Sequence, residues 1–288
     1  MSKRGEKKPK NRKKRLLIIC VSVFFFVACV LAFLQAGVLY TQKKWSHFSP
    51  NYEKVDILPL LEKSERSDLD YEILYRQTGL TKLGIDDLLE EKNEKLILEI
   101  QDFLFQDHEI YVNHFNPFTY QEELKDELAP FGAVREGDII VTGTTHVSWL
   151  RYGHAALVVD GKNRLIVESV GPGAKSELNP VEVLSIMANF LVLRPKVSPE
   201  IKKQVATYAK ENLVGLSYRF TIGLFSKKFP KKEIEATQCA HLVWYAYKKF
   251  GIDLDSNGGW LIKPQDMAKS PDVELVQAFG FDLDKLWS

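Results

Sequence analysis

The chain has 288 residues, 45% of them hydrophobic and 27% charged, a globular composition that excludes collagen-like, disordered and disulfide-dense classes. Its net charge of +1 conceals a split, because nine Lys or Arg stand against Glu6 in residues 1–15, a local +8. Taking that from the total leaves −7 for the rest of the chain, a mildly acidic body with no basic footprint for nucleic acid.

In chain order, residues 1–15 form a basic tail, and Leu16 to Tyr40 reads LLIICVSVFFFVACVLAFLQAGVLY, 25 residues without a charge. At about 1.5 Å per residue this run exceeds the ~30 Å hydrocarbon core, which predicts a single transmembrane signal anchor over 16–40. The tail outweighs Lys43 and Lys44, so the positive-inside rule puts the N-terminus in the cytoplasm and everything after about 45 outside the cell membrane. Cleavage is disfavoured because the apolar run is longer than a signal-peptide core of about 7–15 residues and Leu34-Gln35-Ala36 is a poor small-x-small site.

Residues 45–130 read as a helical membrane-proximal region, with apolar positions three and four apart at Ile57–Leu61, Tyr71–Leu74 and Leu88–Phe105. Pro117, Pro130 and Gly132 punctuate the chain, and a boundary near 130 separates that region from a domain over 131–288. In the latter, Ile139–Thr142, Ala155–Val159, Leu165–Val167 and Phe190–Leu193 read as strands of one small antiparallel sheet. Ser198-Pro199 opens a helix that continues to about Leu213, and a second helix begins at Thr237. The expected fold class is α+β.

Cysteine use narrows the chemistry. Cys20 and Cys29 fall in the apolar run, so Cys239 is the only thiol after residue 44 and no internal disulfide is open to the exported part. The segment from Ala236 to Gly251, ATQCAHLVWYAYKKFG, offers Thr237 as N-cap, Lys248 and Lys249 in the last turn and Gly251 as the stop. Cys239 then sits in the first turn, where the positive helix end favours a thiolate nucleophile. Its spacing with Leu242, Val243, Ala246 and Phe250 turns the sulfur toward the rest of the fold. His241, about 200° further round, is not placed to be its base.

Of the six His (47, 108, 114, 146, 154 and 241), His154 has the best context, because it opens a strand in Tyr152-Gly153-His154-Ala155-Ala156. That strand turns at Asp160-Gly161-Lys162 and returns through Leu165-Ile166-Val167-Glu168, a hairpin by its Asp-Gly signal. A three-residue loop pairs Val159 with Asn163 and sets His154 opposite Glu168, Cβ atoms ~5 Å apart. Loops of two or four residues move that pairing by one. His146 and Gln238 are the alternative third residues, and Gln238 is also a candidate to polarise a substrate carbonyl. Tyr218 is a candidate lining residue of the cleft.

A strand carrying Gly-His-Ala, a return ending Val-Glu-Ser, and a helix opening Thr-Gln-Cys-Ala-His-Leu-Val-Trp resemble the permuted papain-fold hydrolases, the YiiX/YebB/YycO group of NlpC-type cysteine amidases. The resemblance runs from about Arg135 to Gln277 and includes Gly137-Asp138-Ile139-Ile140 and Pro264-Gln265-Asp266. It implies a permuted papain-like core of small antiparallel sheet plus nucleophile helix, with Cys239 as nucleophile, His154 as base and Glu168 as the orienting residue. It implies amidase or peptidase chemistry on cell-wall peptides. The rivals are a lipid-directed acyltransferase or thioesterase, taking an acyl-amide or ester, and a non-catalytic envelope binding module. No metal or organic cofactor is implied, and oligomeric state stays open. His108-Glu109 to His114 has the wrong spacing for a zinc motif, and Gly171 to Ser176 lacks the glycines of a phosphate loop.

Overall fold

The computed structural model describes residues 12–42 and 46–287. The basic tail through Asn11 and the Lys43-Lys44 pair, which enter the expected orientation, lie outside the described residues. Helix α1 (Arg12–Thr41) carries the apolar run, with mean hydropathy 3.1 over its most apolar 18 residues, and it stands clear of the body until its last turns. It is long and apolar enough to span a membrane.

Helices α2 (Leu58–Leu61), α3 (Asp68–Thr78), α4 (Lys82–Glu90) and α5 (Glu94–Leu104) follow, as their spacing predicts. Ser67 and Asp70 close a reciprocal capping box at the start of α3. Gly79 ends it in the left-handed region, φ +72°, where glycine has no Cβ penalty. The helical expectation stops at Leu104. Ile110–Asn116 and Thr119–Leu124 instead form a hairpin, β1 and β2, turning at Asn116-Pro117. Ile110, Tyr111, Val112, Phe115 and Tyr120 are strand formers, and Pro117 has no amide to continue a helix.

The later strands are β3 (Ile139–Thr142), β4 (Thr145–Val147), β5 (Leu150–Arg151), β6 (His154–Asp160), β7 (Leu165–Glu168), β8 (Glu177–Pro180) and β9 (Phe190–Pro195). After them come α6 (Pro199–Asn212), β10 (Ser217–Tyr218), β11 (Ala236–Thr237), α7 (Cys239–Lys248), α8 (Pro264–Ala268) and β12 (Val273–Phe279). The main sheet runs β12-β9-β3-β6-β7-β8 with every pair antiparallel, so the four expected strands share one sheet, extended by β8 and β12. A smaller sheet runs β1-β2-β4-β5. Because β2 pairs with β4 (Thr119↔Val147), the boundary expected near 130 is crossed by strand pairing.

Strand alternation sends buried apolar side chains to both faces of the main sheet. Ala155, Leu157 and Val159 pack with Val205 and Ala209 of α6 and Leu242, Val243 and Ala246 of α7. Ala156 and Val158 pack on the opposite side with Phe131, Phe190 and Leu124. Each fully buried large side chain contributes about 1.5–3 kcal/mol. Helices α2 to α5 gather a third apolar cluster around Leu74, Leu80, Leu88 and Ile97. They dock on edge strand β12, where Ala278 N–H donates to Gly79 O (2.8 Å) and Thr81 N–H to Val276 O (3.0 Å). The layers are also tied by charge: Arg194 on β9 grips Asp138 through Nε (2.8 Å) and Nη2 (2.7 Å), and its Nη1 reaches Asp87 on α4 (2.6 Å). All three groups are buried.

Candidate active site

The site forms where α7 meets the start of β6. Gln238, not Thr237, is the N-cap: its Oε1 accepts from Ala240 N–H (3.1 Å) while its Nε2 donates to Ile262 O (2.7 Å). Gln238 wins that position because its longer side chain reaches back over the first turn, whereas the Thr237 hydroxyl is turned to His241 Nδ1 (2.9 Å). Fully buried and with both amide atoms engaged, Gln238 builds the helix end. The far end of α7 follows the sequence expectation, with Lys248 in the last turn and Gly251 at φ +83°.

Cys239 is the first residue of α7, 3% exposed, with its sulfur 3.3 Å from Gln238 Oε1. Its backbone N–H is among the first four of the helix, which have no intrahelical acceptor. His154 lies close enough to Cys239 for the two groups to act on each other's charge. The imidazole Nε2–H donates to Glu168 Oε2 at 2.6 Å, which leaves Nδ1 as the nitrogen for the sulfur. Glu168 Oε1 in turn accepts from Asn179 Nδ2 on β8 (2.8 Å).

Burial by itself lowers the affinity of His154 for its second proton, but hydrogen bonds and charge from Cys239 and Glu168 outweigh it and push the value up to about 10. Burial raises the Glu168 carboxyl, and the hydrogen bond and charge of His154 prevail to hold it below its ordinary value. The two partners therefore favour imidazolium and carboxylate together. His241 is the opposite case: burial drives it down to about 4, and it is spent between Thr237 and Lys228 O (2.8 Å). It is not a base for Cys239, as its position two residues on predicts.

A cavity of about 470 Å³ opens over Cys239, lined by Tyr152, Tyr218, Thr145, Val170 and Phe115 among others. Burial and the nearby Cys239 sulfur push both phenols, Tyr152 and Tyr218, well above the usual tyrosine value, so they stay protonated. Tyr152 donates to Ile262 O (3.3 Å), whereas the Tyr218 hydroxyl has no protein hydrogen-bond partner among the described residues. Tyr218, the lining residue proposed from the sequence, is among the residues around this cavity. Among the described residues no group of three His, Cys, Asp or Glu is placed to hold a metal ion.

His146, the other candidate third residue, belongs elsewhere. It is buried, stacks on Tyr120 with ring centroids 4.5 Å apart, and stands 3.2 Å from Glu122 Oε1 in the smaller sheet. Two contributors escaped the sequence reading. Tyr152 was adjacent to the Gly153-His154 motif and had a positional signal, whereas Asn179 had none, because only the β7–β8 pairing (Ile166↔Asn179) brings it to Glu168.

Chemically, a buried thiol at a helix N-terminus beside an imidazole fixed by a carboxylate is equipped to hold a thiolate–imidazolium pair. No protein-family model matches this chain, and no curated protein and no solved structure matches it either.

Proposed function

We propose that the chain is a membrane-anchored cysteine hydrolase of permuted papain-like architecture, acting on amide or ester carbonyls outside the cytoplasm, with its N-terminus inside. The observation that carries this reading is His154, which binds Glu168 at 2.6 Å and acts on the charge of Cys239, the thiol that lines the cavity. A His before the Cys in the chain, on a strand that packs against the helix bearing that Cys, supports the permuted arrangement.

In this mechanism the Cys239 thiolate attacks the carbonyl carbon, and the charge on oxygen is met by the Cys239 backbone N–H. The Tyr218 hydroxyl is the second donor on the cavity wall. As the tetrahedral adduct collapses, the C–N or C–O bond breaks and the proton of the His154 imidazolium passes to the leaving amine or alcohol. A water then gives its proton to neutral His154 and adds to the thioester. Collapse releases the carboxylic acid and returns the thiol to its pair. Glu168 keeps the ring oriented through both steps. The cell-wall peptide and the acyl-amide expected from the sequence pass through this same acyl-enzyme.

The test is the pH dependence of iodoacetamide alkylation at Cys239 in the full chain, read on its own peptide by mass spectrometry and repeated in His154→Ala. Rapid labelling below pH 7 that collapses in the variant is the expected result. Labelling that follows an ordinary thiol titration and is unchanged by the substitution overturns the reading in favour of a binding module.

A further inference from the structure

The end of α1 packs against the smaller sheet, which supplies one wall of the cavity. Ser148, in the β4–β5 turn, donates from its hydroxyl to Leu34 O (2.7 Å). That hydrogen bond accompanies a left-handed backbone at Ser148, φ +55°, uncommon for a residue with a side chain. The Trp149 ring packs edge-on to Phe33 with centroids 5.0 Å apart and covers Gly37, where an added Cβ would come within 2.6 Å of the indole. Val38 is fully buried, and Tyr120 donates to Thr41 Oγ1 (2.7 Å). The helix is therefore docked through its last two turns, which fixes the height of the site above the membrane.

That height follows from length. A span of about 20 residues crosses the ~30 Å hydrocarbon core, so counting from Leu16 puts the outer boundary near Gln35. Trp149, packed between Phe33 and Gly37, is at that boundary. It is 42% exposed and its neighbour Leu150 58%, a large apolar pair at the tip of a two-strand turn, followed by the exposed Arg151. Indole at the interface with a cation beside it is the pattern of a membrane anchor. The same sheet supplies Thr119, Thr145 and Val147 to the cavity above Cys239. Phe115 and Val170 on its rim are each about half exposed.

Resting on the hydrolase reading, we infer that the β4–β5 turn is seated in the outer leaflet and that the Cys239 cavity receives the apolar chain of a membrane amphiphile. The substrate class is a long-chain acyl amide or ester that reaches the thiol laterally from the bilayer. A soluble peptide would gain nothing from an apolar cavity whose wall is fixed at the lipid boundary, whereas each buried methylene of an acyl chain contributes about 0.8 kcal/mol.

The experiment uses the full chain in lipid nanodiscs and has two arms. In the first, a phospholipid with a diazirine in its acyl chain is photolysed and adducts are mapped by mass spectrometry. Adducts at Trp149–Arg151, reduced in Leu150→Asp and in Trp149→Gln relative to those on α1, are expected. Adducts confined to α1 overturn the seating. In the second, Cys239 alkylation by N-dodecyl iodoacetamide is compared with iodoacetamide, and a preference of about tenfold or more for the long chain is expected, reduced in Val170→Asp. Equal rates with His154 dependence intact overturn the substrate assignment and leave the hydrolase reading standing. Slow labelling by both reagents, unaffected by His154→Ala, overturns the hydrolase reading and the substrate assignment with it.

Discussion

His154 and Glu168 meet diagonally across the sheet. The register pairs Glu168 with Ala156, two residues beyond His154, because the strands close at Asp160↔Leu165 rather than at Val159↔Asn163, and an irregularity between Val158 and Asp160 takes up one residue of that shift. The imidazole nevertheless reaches the carboxylate at 2.6 Å, since diagonal neighbours on one face lie within range of long side chains. The direct pairing expected from a three-residue loop is corrected by that shift, while the contact it was meant to explain is present. A carboxylate two positions along also frees the other ring nitrogen to face Cys239.

Replacing Glu168 by Gln should therefore cost stability in a pH-dependent way. The raised value of His154 means its contribution is complete below the ordinary 6.5 and fades as the pH climbs through about 10. The lowered value of Glu168 means its share is complete above the ordinary 4.5 and is lost on acidification. Urea unfolding of wild type and Glu168→Gln should show a gap of about 1–3 kcal/mol, widest between 4.5 and 6.5 and narrowing on either side. A gap that does not vary with pH would contradict the ion pair.

Arg194→Met strands the Asp138 carboxylate, which loses two guanidinium hydrogen bonds, and leaves Asp87 with Arg135 as its remaining ion-pair partner. Burial already raises the Asp138 carboxyl against the pull of Arg194, so without that cation it titrates higher still. Breaking a buried pair of this kind costs about 3–5 kcal/mol. Thermal unfolding should show a large loss that partly recovers as the pH falls, because protonation removes the uncompensated charge.

Gly79→Ala should loosen the helical layer. The residue is at φ +72°, and a Cβ would overlap the Ala278 carbonyl on β12. The left-handed backbone alone costs about 1–2 kcal/mol for a residue with a side chain, and the clash adds to it. Hydrogen exchange should speed up at the Ala278 and Thr81 amides, which bridge the two layers. Unchanged protection there would show that the junction yields without strain.

Gln238→Ala separates cap from catalysis. It removes the acceptor of Ala240 N–H and the donor to Ile262 O, a loss of about 1–2 kcal/mol by the usual cost of an N-cap. Since both amide atoms are engaged in holding α7, Cys239 labelling should slow only as far as the helix end loosens, and Gln238→Asn should restore part of it. A collapse of labelling without any loss of stability would return Gln238 to the substrate.

Much was legible from residue order alone. The uncharged run from Leu16 to Tyr40 sets a helix of membrane length whatever surrounds it, since apolar length is a property of consecutive residues. The strands from Ile139 to Phe190, helix α6 with Ser198 as its cap, and the placing of Cys239 at the head of α7 follow from local patterning. The tertiary structure decided what depends on pairing between distant segments. It made a hairpin of 110–124, because β2 gains a partner in β4, and it brought Asn179 to Glu168 across β7 and β8. It drew His146 to Glu122 and engaged Gln238 as a cap. Strand register and the packing of α1 on Trp149 arise from backbone hydrogen bonds and side-chain shape between remote parts of the chain, to which periodicity along the sequence is blind.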